Sequence, residues 1–298
     1  MRWLWAIATL LIPMIASAFD LQAHRGGRGL APENTLPAFA NALGIGVTTL
    51  ELDTGVTKDG VVVIHHDRRL NPDIARGPDR RWVAAPAPLI HALSLEELQR
   101  YDVGRLRPGS KTAQQFPAQQ AADGARIPRL SELFDLVKKS GHHAVRFNIE
   151  TKLSPQAPEE TLPPLEFARA LIAEIRKAGM EKRASIQSFD WRTLQVVERE
   201  APGIATVYVT GRRGAESQPK AVHVAGGRIW SPNYEAMDAA ALMEARALGL
   251  KVVPWTVNEP AVIERMLELA VDGLISDYPD RVRSMMARRG LQLPPEAR

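Results

Sequence analysis

The 298-residue chain has a formal net charge of +4 and contains no cysteine, which excludes a disulfide framework, a thiolate zinc site and a cysteine nucleophile. Its Lys and Arg residues are scattered, without a dense basic run or a basic-aromatic array, so a nucleic-acid partner is not predicted. The length suffices for one large domain or two small ones.

The N-terminus has the pattern of a secretory leader. Met1-Arg2 precedes an apolar run over residues 3–15 and then Ala16-Ser17-Ala18, which is typical of a signal-peptidase site. The run is shorter than the roughly 18 residues that a membrane span needs. We therefore expect a signal peptide over residues 1–18, with an uncleaved anchor as the alternative. The mature chain is expected to be exported, to the periplasm or fully secreted, without stable membrane insertion.

The mature chain opens with alternating strand and helix patterns. Apolar runs predict strands at 21–24 and 48–53, and the pattern over 34–43 predicts a helix between them. Thr57-Lys58-Asp59-Gly60 then predicts a hairpin, since an Asp-Gly pair favours tight turns. Residues 61–66 must fold back antiparallel, because a parallel neighbour needs a crossover of about a dozen residues.

Residues 68–127 interrupt this alternation with a stretch rich in Pro and Arg. One helix start is clear there, the capping box Ser94-Leu95-Glu96-Glu97. We interpret the stretch as an insertion that covers one end of a single domain formed by residues 19–298.

Strand and helix patterns then resume. Helices are predicted at 131–139, 164–177, 193–200, 239–248 and 261–270. With the hairpin strand set aside, eight parallel strands are predicted, at 21–24, 48–53, 145–150, 185–189, 204–209, 228–234, 251–257 and 273–277. Eight repeats of strand and helix predict an α/β fold, the (β/α)₈ TIM barrel. The crossover before residue 228 shows the pattern least clearly.

Acidic side chains follow two of these strands at the ends where barrel active sites lie. Glu51 and Asp53 share one face of the second strand, and Glu150 ends the third. An isolated Glu-x-Asp pair is more often the wet face of a strand, but the matching Glu150 and the nearby His24 favour a metal site. Carboxylates without cysteine select a hard cation, so one Mg²⁺ or Ca²⁺ ion is expected.

His24 and His66 are the candidates for proton transfer, because imidazole titrates near neutral pH. Asp67 could orient the imidazole of His66. Arg25 and Lys152 are expected to bind phosphate oxygens, with salt bridges to the acidic residues as their ordinary alternative. Trp255, at the end of the seventh strand, could line the substrate pocket or cap the barrel core with equal weight.

These motifs, in this order, resemble those of the glycerophosphodiester phosphodiesterase family. The shared motifs are His24-Arg25-Gly26, Pro32-Glu33-Asn34-Thr35, Glu51-Leu52-Asp53, Thr57-Lys58-Asp59-Gly60, His66-Asp67, Asn148-Ile149-Glu150-Thr151-Lys152, Gln187-Ser188-Phe189, Trp255-Thr256-Val257-Asn258 and Asp272-Gly273. Together they span nearly the whole mature chain.

The resemblance implies a TIM barrel that hydrolyses glycerophosphodiesters to an alcohol and sn-glycerol 3-phosphate. It implies that Glu51, Asp53 and Glu150 bind the divalent cation. It further implies that His24 and His66 are the general base and the general acid. The side chains of Arg25 and Lys152 are implied to contact the phosphate. The insertion lies where selection of the leaving alcohol is expected.

Several alternatives stay open at this stage. The nucleophile is water or the substrate's own hydroxyl, and the two histidine roles could be exchanged. A lysophospholipase D or a phosphatidylinositol phospholipase C-like enzyme is the closest rival. A non-catalytic secreted protein that binds a phosphate ligand is the rival from another class, although binding alone needs neither imidazole.

Overall fold

The computed structural model describes residues 19–212 and 217–295, so the predicted leader lies outside the described residues. The strands are β1 Asp20–Ala23, β2 Thr49–Val56, β3 Val62–Ile64, β4 Arg146–Thr151, β5 Ala184–Ser188, β6 Ala205–Thr210, β7 Ile229–Pro232, β8 Lys251–Val252 and β9 Gly273–Ser276. The α-helices are α1 Leu36–Ile45, α2 Leu95–Leu98, α3 Lys111–Gln115, α4 Leu130–Lys139, α5 Pro164–Ala178, α6 Trp191–Glu200, α7 Gln218–Val224, α8 Ala239–Ala247, α9 Pro260–Glu268 and α10 Pro279–Arg288.

Eight parallel strands form a nearly closed barrel in the order β8-β7-β6-β5-β4-β2-β1-β9. Backbone hydrogen bonds join its two ends. The Asp272 amide donates to the Val252 carbonyl at 3.0 Å, and the Ile275 amide donates to the Pro254 carbonyl at 3.0 Å. The predicted TIM barrel is confirmed.

The hairpin is also as predicted. β3 pairs antiparallel with β2 and lies outside the parallel order, with Val56 opposite Val62. The Thr57 amide donates to the Val61 carbonyl at 3.0 Å and closes the turn. The end of β3 therefore comes back to the end of β2 that carries Asp53.

Local sequence sets the ends of the helices. Thr35 accepts a hydrogen bond from the Ala38 amide and begins α1, and Ser94 forms the predicted capping box with Glu97. Gly179 ends α5 with φ of 68°, a left-handed conformation that glycine adopts without a side-chain penalty.

Some elements differ from the sequence expectations. The strand predicted at 251–257 is assigned only as Lys251–Val252, because Pro254 has no N–H to donate to a ladder. The helices α3, α7 and α10 were not predicted. α7 supplies the crossover before β7, where the pattern was least clear.

Two apolar clusters account for the core. The larger lies between the barrel strands and their helices and includes Leu50, Leu52, Phe147 and Trp230. The smaller lies in the insertion, where Val63, Leu70, Ile90, Leu98 and Ile127 are among its buried members. None of the helices in the described part of the chain has the length and apolar character that crossing a membrane requires.

Candidate active site

The chain turns sharply where β1 ends. His24–Gly26 form a single 3₁₀ turn, and Arg25 adopts a left-handed conformation with φ of 51°. A Cβ at Gly26 would lie 2.9 Å from the Ala38 Cβ, so only glycine fits between the turn and α1. The turn aims the Arg25 amide at the carboxylate of Glu51, at 2.8 Å.

Three buried carboxylates meet beside this turn. Glu51, Asp53 and Glu150 each place an oxygen within 4.8 Å of the others. The register explains the meeting, because Asp53 on β2 pairs directly with Glu150 on β4. Leu50 and Leu52, which alternate with the acidic residues, pack instead into the apolar core.

The three carboxylates differ in their electrostatics. Burial and the adjacent Asp53 raise the pKa of Glu51 well above its ordinary value. Burial likewise raises the pKa of Glu150. The pKa of Asp53 lies well below its usual range, since the imidazole of His66 and the guanidinium of Arg25 outweigh its burial. A cluster of this kind suits a divalent cation, which relieves like-charge repulsion between oxygen ligands.

Neighbouring side chains hold each carboxylate in place. Gln187 Nε2 donates to Glu51 Oε1 at 2.6 Å, and Asn34 Nδ2 donates to Asp53 Oδ2 at 2.9 Å. Lys152 Nζ donates to Glu150 Oε1 at 2.8 Å. The donor set contains only oxygens, so the chemistry of the site fits Mg²⁺ or Ca²⁺ better than a thiophilic metal.

His24 is fixed by a residue from the far end of the chain. Its Nδ1 lies 2.5 Å from Asp277 Oδ1, and its Nε2 lies 4.0 Å from Glu51 Oε2. Burial lowers the pKa of His24 to about 4, although the Asp277 carboxylate acts in the opposite direction. The imidazole is therefore neutral near pH 7, with Nδ1–H donated to Asp277 and Nε2 free to accept a proton.

Asp277 is itself held by two donors. Asn258 Nδ2 donates to its Oδ2 at 2.7 Å, and Arg28 Nε donates to its Oδ1 at 2.8 Å. Burial alone would raise the pKa of Asp277, but His24 and Arg28 keep it below its usual range. The carboxylate thus stays ionised beside His24.

His66 enters from the hairpin, just after β3. Its Nδ1 lies 2.7 Å from Asp67 Oδ1, and Asn71 donates to the other oxygen of Asp67 at 2.8 Å. The predicted pairing of His66 with Asp67 is present, and the second ring nitrogen is left for the cavity.

The two predicted phosphate ligands contact the acidic cluster. Arg25 Nε lies 3.2 Å from Asp53 Oδ2, and Arg25 Nη1 donates to Glu33 Oε1 at 3.0 Å. Lys152 Nζ lies 3.5 Å from Asp53 Oδ1. Arg25 and Lys152 line the same cavity as the two histidines, so their salt bridges do not remove them from the site.

One cavity of about 130 Å³ collects these groups. Seven of the eight predicted site residues line it, namely His24, Arg25, Glu51, His66, Glu150, Lys152 and Trp255. Asp53 lies directly behind, within the carboxylate cluster. Trp255 packs edge-to-face on Phe189, with ring centroids 5.4 Å apart, and both aromatic rings form part of the wall.

A larger cavity, of about 260 Å³, lies at the opposite end of the barrel. Its lining includes Gln22, Arg146 and Asp272 but none of the eight predicted site residues. Position at the carboxyl ends of the strands therefore identifies the candidate site better than size does.

The sequence placed Asp277 at the end of the eighth strand, Gln187 on the fourth and Asn258 in a shared motif, but it gave none of them a role, and it gave none to Arg28. Their contacts are long-range, since His24 and Asp277 are 253 residues apart. The number of predicted strands could have indicated the contact of His24 with Asp277, because a closed eight-stranded barrel brings the eighth strand beside the first.

The chain is similar over most of its length to proteins of one known family. The sequence model of the glycerophosphoryl diester phosphodiesterase family matches residues 24–281. A glycerophosphodiester phosphodiesterase of Caldanaerobacter subterraneus subsp. tengcongensis is 30% identical over 274 residues, which cover 90% of this chain and 98% of that protein. A glycerophosphodiester phosphodiesterase of Bacillus subtilis is 30% identical over 273 residues, covering 87% and 83%.

A crystal structure from Silicibacter pomeroyi is similar throughout. That protein, described as a candidate glycerophosphoryl diester phosphodiesterase, superposes with a TM-score of 0.87 at 36% identity. The match covers 93% of this chain and 95% of the other.

Proposed function

We propose that this chain, which belongs to the glycerophosphoryl diester phosphodiesterase family and is an enzyme of that class, hydrolyses glycerophosphodiesters. The products would be sn-glycerol 3-phosphate and an alcohol, and the reaction would use one divalent cation. One observation carries the proposal. Two imidazoles, each with a carboxylate at its Nδ1, face one cavity beside three clustered carboxylates.

Glu51, Asp53 and Glu150 are the residues that would hold the cation. When bound there, Mg²⁺ or Ca²⁺ supplies Lewis-acid polarisation of the phosphoryl oxygens. The short reach between the three carboxylates and the raised pKa of Glu51 support this assignment.

His24 is the general base in this proposal. Its neutral imidazole presents Nε2 to the cavity and takes the proton from the nucleophile, which is water or the substrate's free hydroxyl. Asp277 fixes the tautomer and stabilises the imidazolium that forms. Attack at phosphorus forms one P–O bond.

His66 is the general acid. It gives a proton to the oxygen of the departing alcohol as the ester P–O bond breaks. Asp67 lies at hydrogen-bond distance from His66 Nδ1 and orients the imidazole so that its other nitrogen faces the cavity. The balance is one diester and one water converted to one phosphomonoester and one alcohol.

Arg25 and Lys152 bind and orient the phosphate oxygens, since both line the cavity next to the carboxylates. Trp255 and its partner Phe189 bind the carbon skeleton of the substrate.

The products formed from glycerophosphocholine test this function. The purified chain should release sn-glycerol 3-phosphate and choline in equal amounts. Glycerol and phosphocholine would show that the other ester bond is cut, which contradicts the proposal. Faster choline release from lysophosphatidylcholine would favour the lysophospholipase D alternative. Tight binding without turnover of either substrate would favour the binding protein.

We also propose that the chain is exported. The basic start, the apolar run and Ala16-Ser17-Ala18 support a leader over residues 1–18. N-terminal sequencing of protein recovered outside the cytoplasm should begin at Phe19. Recovery from the cytoplasm with Met1 intact would contradict export.

A further inference from the structure

We propose that Gln187 is a positioning residue for the cation site, and that a buried chain of side-chain amides through the barrel fixes the orientation of its amide. The inference rests on the proposed function, because it assigns Gln187 a role toward the cation that Glu51 would hold. It extends the site inward, from the cavity at the strand ends toward the opposite end of the barrel.

The first contact is the one at the carboxylate. Gln187 Nε2 donates to Glu51 Oε1 at 2.6 Å, while the Arg25 amide donates to Glu51 Oε2 at 2.8 Å. Each oxygen of Glu51 therefore has one fixed donor and keeps lone pairs for a metal ion. The Arg25 amide favours the ionised carboxylate, against its burial and the charge of Asp53.

The orientation of the Gln187 amide is set by its next neighbour. Asn148 Nδ2 donates to Gln187 Oε1 at 3.0 Å and to Gln22 Oε1 at 2.9 Å. Ser185 Oγ lies 3.0 Å from Asn148 Oδ1, so the oxygen of the Asn148 amide faces Ser185 and its nitrogen faces both glutamines. With Oε1 directed at Asn148, the nitrogen of Gln187 must point at Glu51.

The far end of the chain is also a carboxylate. Gln22 Nε2 donates to Asp20 Oδ2 at 2.9 Å, and Asp20 is held by Thr49 Oγ1 at 2.6 Å and Arg146 Nη2 at 3.0 Å. Asp20 pairs with Arg146 and Glu51 would bind the cation, and a carboxylate in either role only accepts hydrogen bonds. Both ends of the chain therefore require a donor, and the doubly donating Asn148 amide satisfies both at once.

Burial makes this arrangement costly to change. Gln22, Asn148 and Gln187 are each less than 5% exposed. A flipped Gln187 amide would set oxygen against Glu51 Oε1 and nitrogen against Asn148 Nδ2, leaving two buried mismatches. Each unsatisfied buried polar group costs about 1–3 kcal/mol. The amide chain thus keeps a single donor aimed at the carboxylate.

Three Gln→Leu variants test the inference by calorimetric titration with Mg²⁺ and with Ca²⁺. Gln187→Leu removes the donor itself, and we expect the Kd for the cation to rise about 10- to 100-fold. Gln22→Leu leaves the triad and Gln187 in place but frees one Asn148 N–H, and a smaller rise is expected. Gln99→Leu is the matched control, because its amide donates to the Ile127 carbonyl in the insertion, and its Kd should equal that of the wild type.

Thermal unfolding of the cation-free proteins separates positioning from a purely structural role. A lower Tm for Gln187→Leu together with an unchanged cation Kd would overturn the inference. If Gln187→Leu does not fold, Gln22→Leu decides, and an unchanged Kd in that variant has the same meaning. Failure of the wild type to bind either cation would contradict the proposed function instead.

Discussion

The role of His66 can be tested separately from cation binding, because its hydrogen-bond partner is Asp67 and not one of the three carboxylates that would hold the cation. We expect His66→Ala to lower kcat roughly 100- to 10,000-fold, the range for loss of a positioned acid or base. The cation Kd should stay near the wild-type value. Steady-state kinetics at saturating cation, with parallel calorimetry, measures both quantities.

His143→Ala is the control for that variant, since His143 is exposed and lies outside the cavity. Its kcat should not change. An unchanged kcat in His66→Ala would remove His66 from the mechanism.

Asp277 offers a second test at a single residue. Asp277→Asn keeps the shape of the side chain but replaces an acceptor by a group that can donate to His24 Nδ1, which favours the wrong tautomer. We expect a fall in kcat of at least about 100-fold with a small change in KM, by analogy with the orienting aspartate of a Ser-His-Asp triad. Steady-state kinetics measures the split.

Asp272→Asn is the control, because Asp272 lies just before β9, whereas Asp277 lies just after it. Asp272 is outside the catalytic cavity, so the variant should leave kcat unchanged. Equal kcat values for Asp277→Asn and the wild type would contradict the orienting role.

The residues of the site differ in how far sequence alone could find them. Glu51, Asp53 and Glu150 were predictable because each lies at a strand end, and the parallel register then brings Asp53 beside Glu150. Asp277 and Arg28 were not, because their roles exist only after the barrel closes and β9 pairs with β1. Periodicity identifies an element and its faces, but not the partner that a side chain meets across the molecule.

Among the elements, the insertion supports the wall of the site from behind, through Arg28, which lines the cavity. Phe116 follows α3, is 2% exposed and lies under Arg28, whose guanidinium carbon is 4.8 Å from the ring centroid. The Gln119 amide donates to the Arg28 carbonyl at 2.7 Å. The insertion thus holds Arg28, and through it Asp277, in place.

Phe116→Ala should therefore reduce both stability and turnover. The loss of a buried ring is expected to cost about 3–5 kcal/mol of unfolding free energy. Denaturant titration measures the stability, and kcat/KM should fall because Arg28 loses its support.

Phe189→Ala gives the contrast, because its ring is 47% exposed. It should change the unfolding free energy by no more than about 0.5 kcal/mol. Similar unfolding free energies for the two alanine variants would contradict the stabilising role of Phe116, and an unchanged kcat/KM in Phe116→Ala would show that the insertion does not anchor the site.

Elements were predictable where a long periodic pattern had clear ends, as in α5 with Gly179 after it. They were missed where the pattern was short or interrupted. α3 has five residues without a buried one, and α7 follows a stretch without periodicity. β8 was predicted longer than its two assigned residues, because Pro254 has no N–H and interrupts the ladder, although the Val253 and Trp255 amides still donate to the Trp230 and Pro232 carbonyls.

For the molecule as a whole, the carboxylate cluster is a cost to the cation-free fold. Glu51→Gln removes one charge from a buried group of like charges, so its cation-free Tm should equal or exceed that of the wild type. Added Mg²⁺ should raise the wild-type Tm, because the cation at 100 times its Kd adds about 2.7 kcal/mol to the free energy of unfolding. The Tm of Glu51→Gln should change little. Scanning calorimetry with and without the cation measures both.

Glu174→Gln, on the outer side of the barrel, is the matched control and should respond to the cation as the wild type does. An equal cation-induced shift in Glu51→Gln would place the cation elsewhere.

Turnover by the proposed mechanism depends on a divalent cation bound by Glu51, Asp53 and Glu150. The most direct measurement is release of sn-glycerol 3-phosphate from glycerophosphocholine by the wild-type protein, first after treatment with EDTA and then after Mg²⁺ or Ca²⁺ is restored. We predict that release stops with the chelator and returns with one of the two ions. Release at the same rate throughout would contradict the claim.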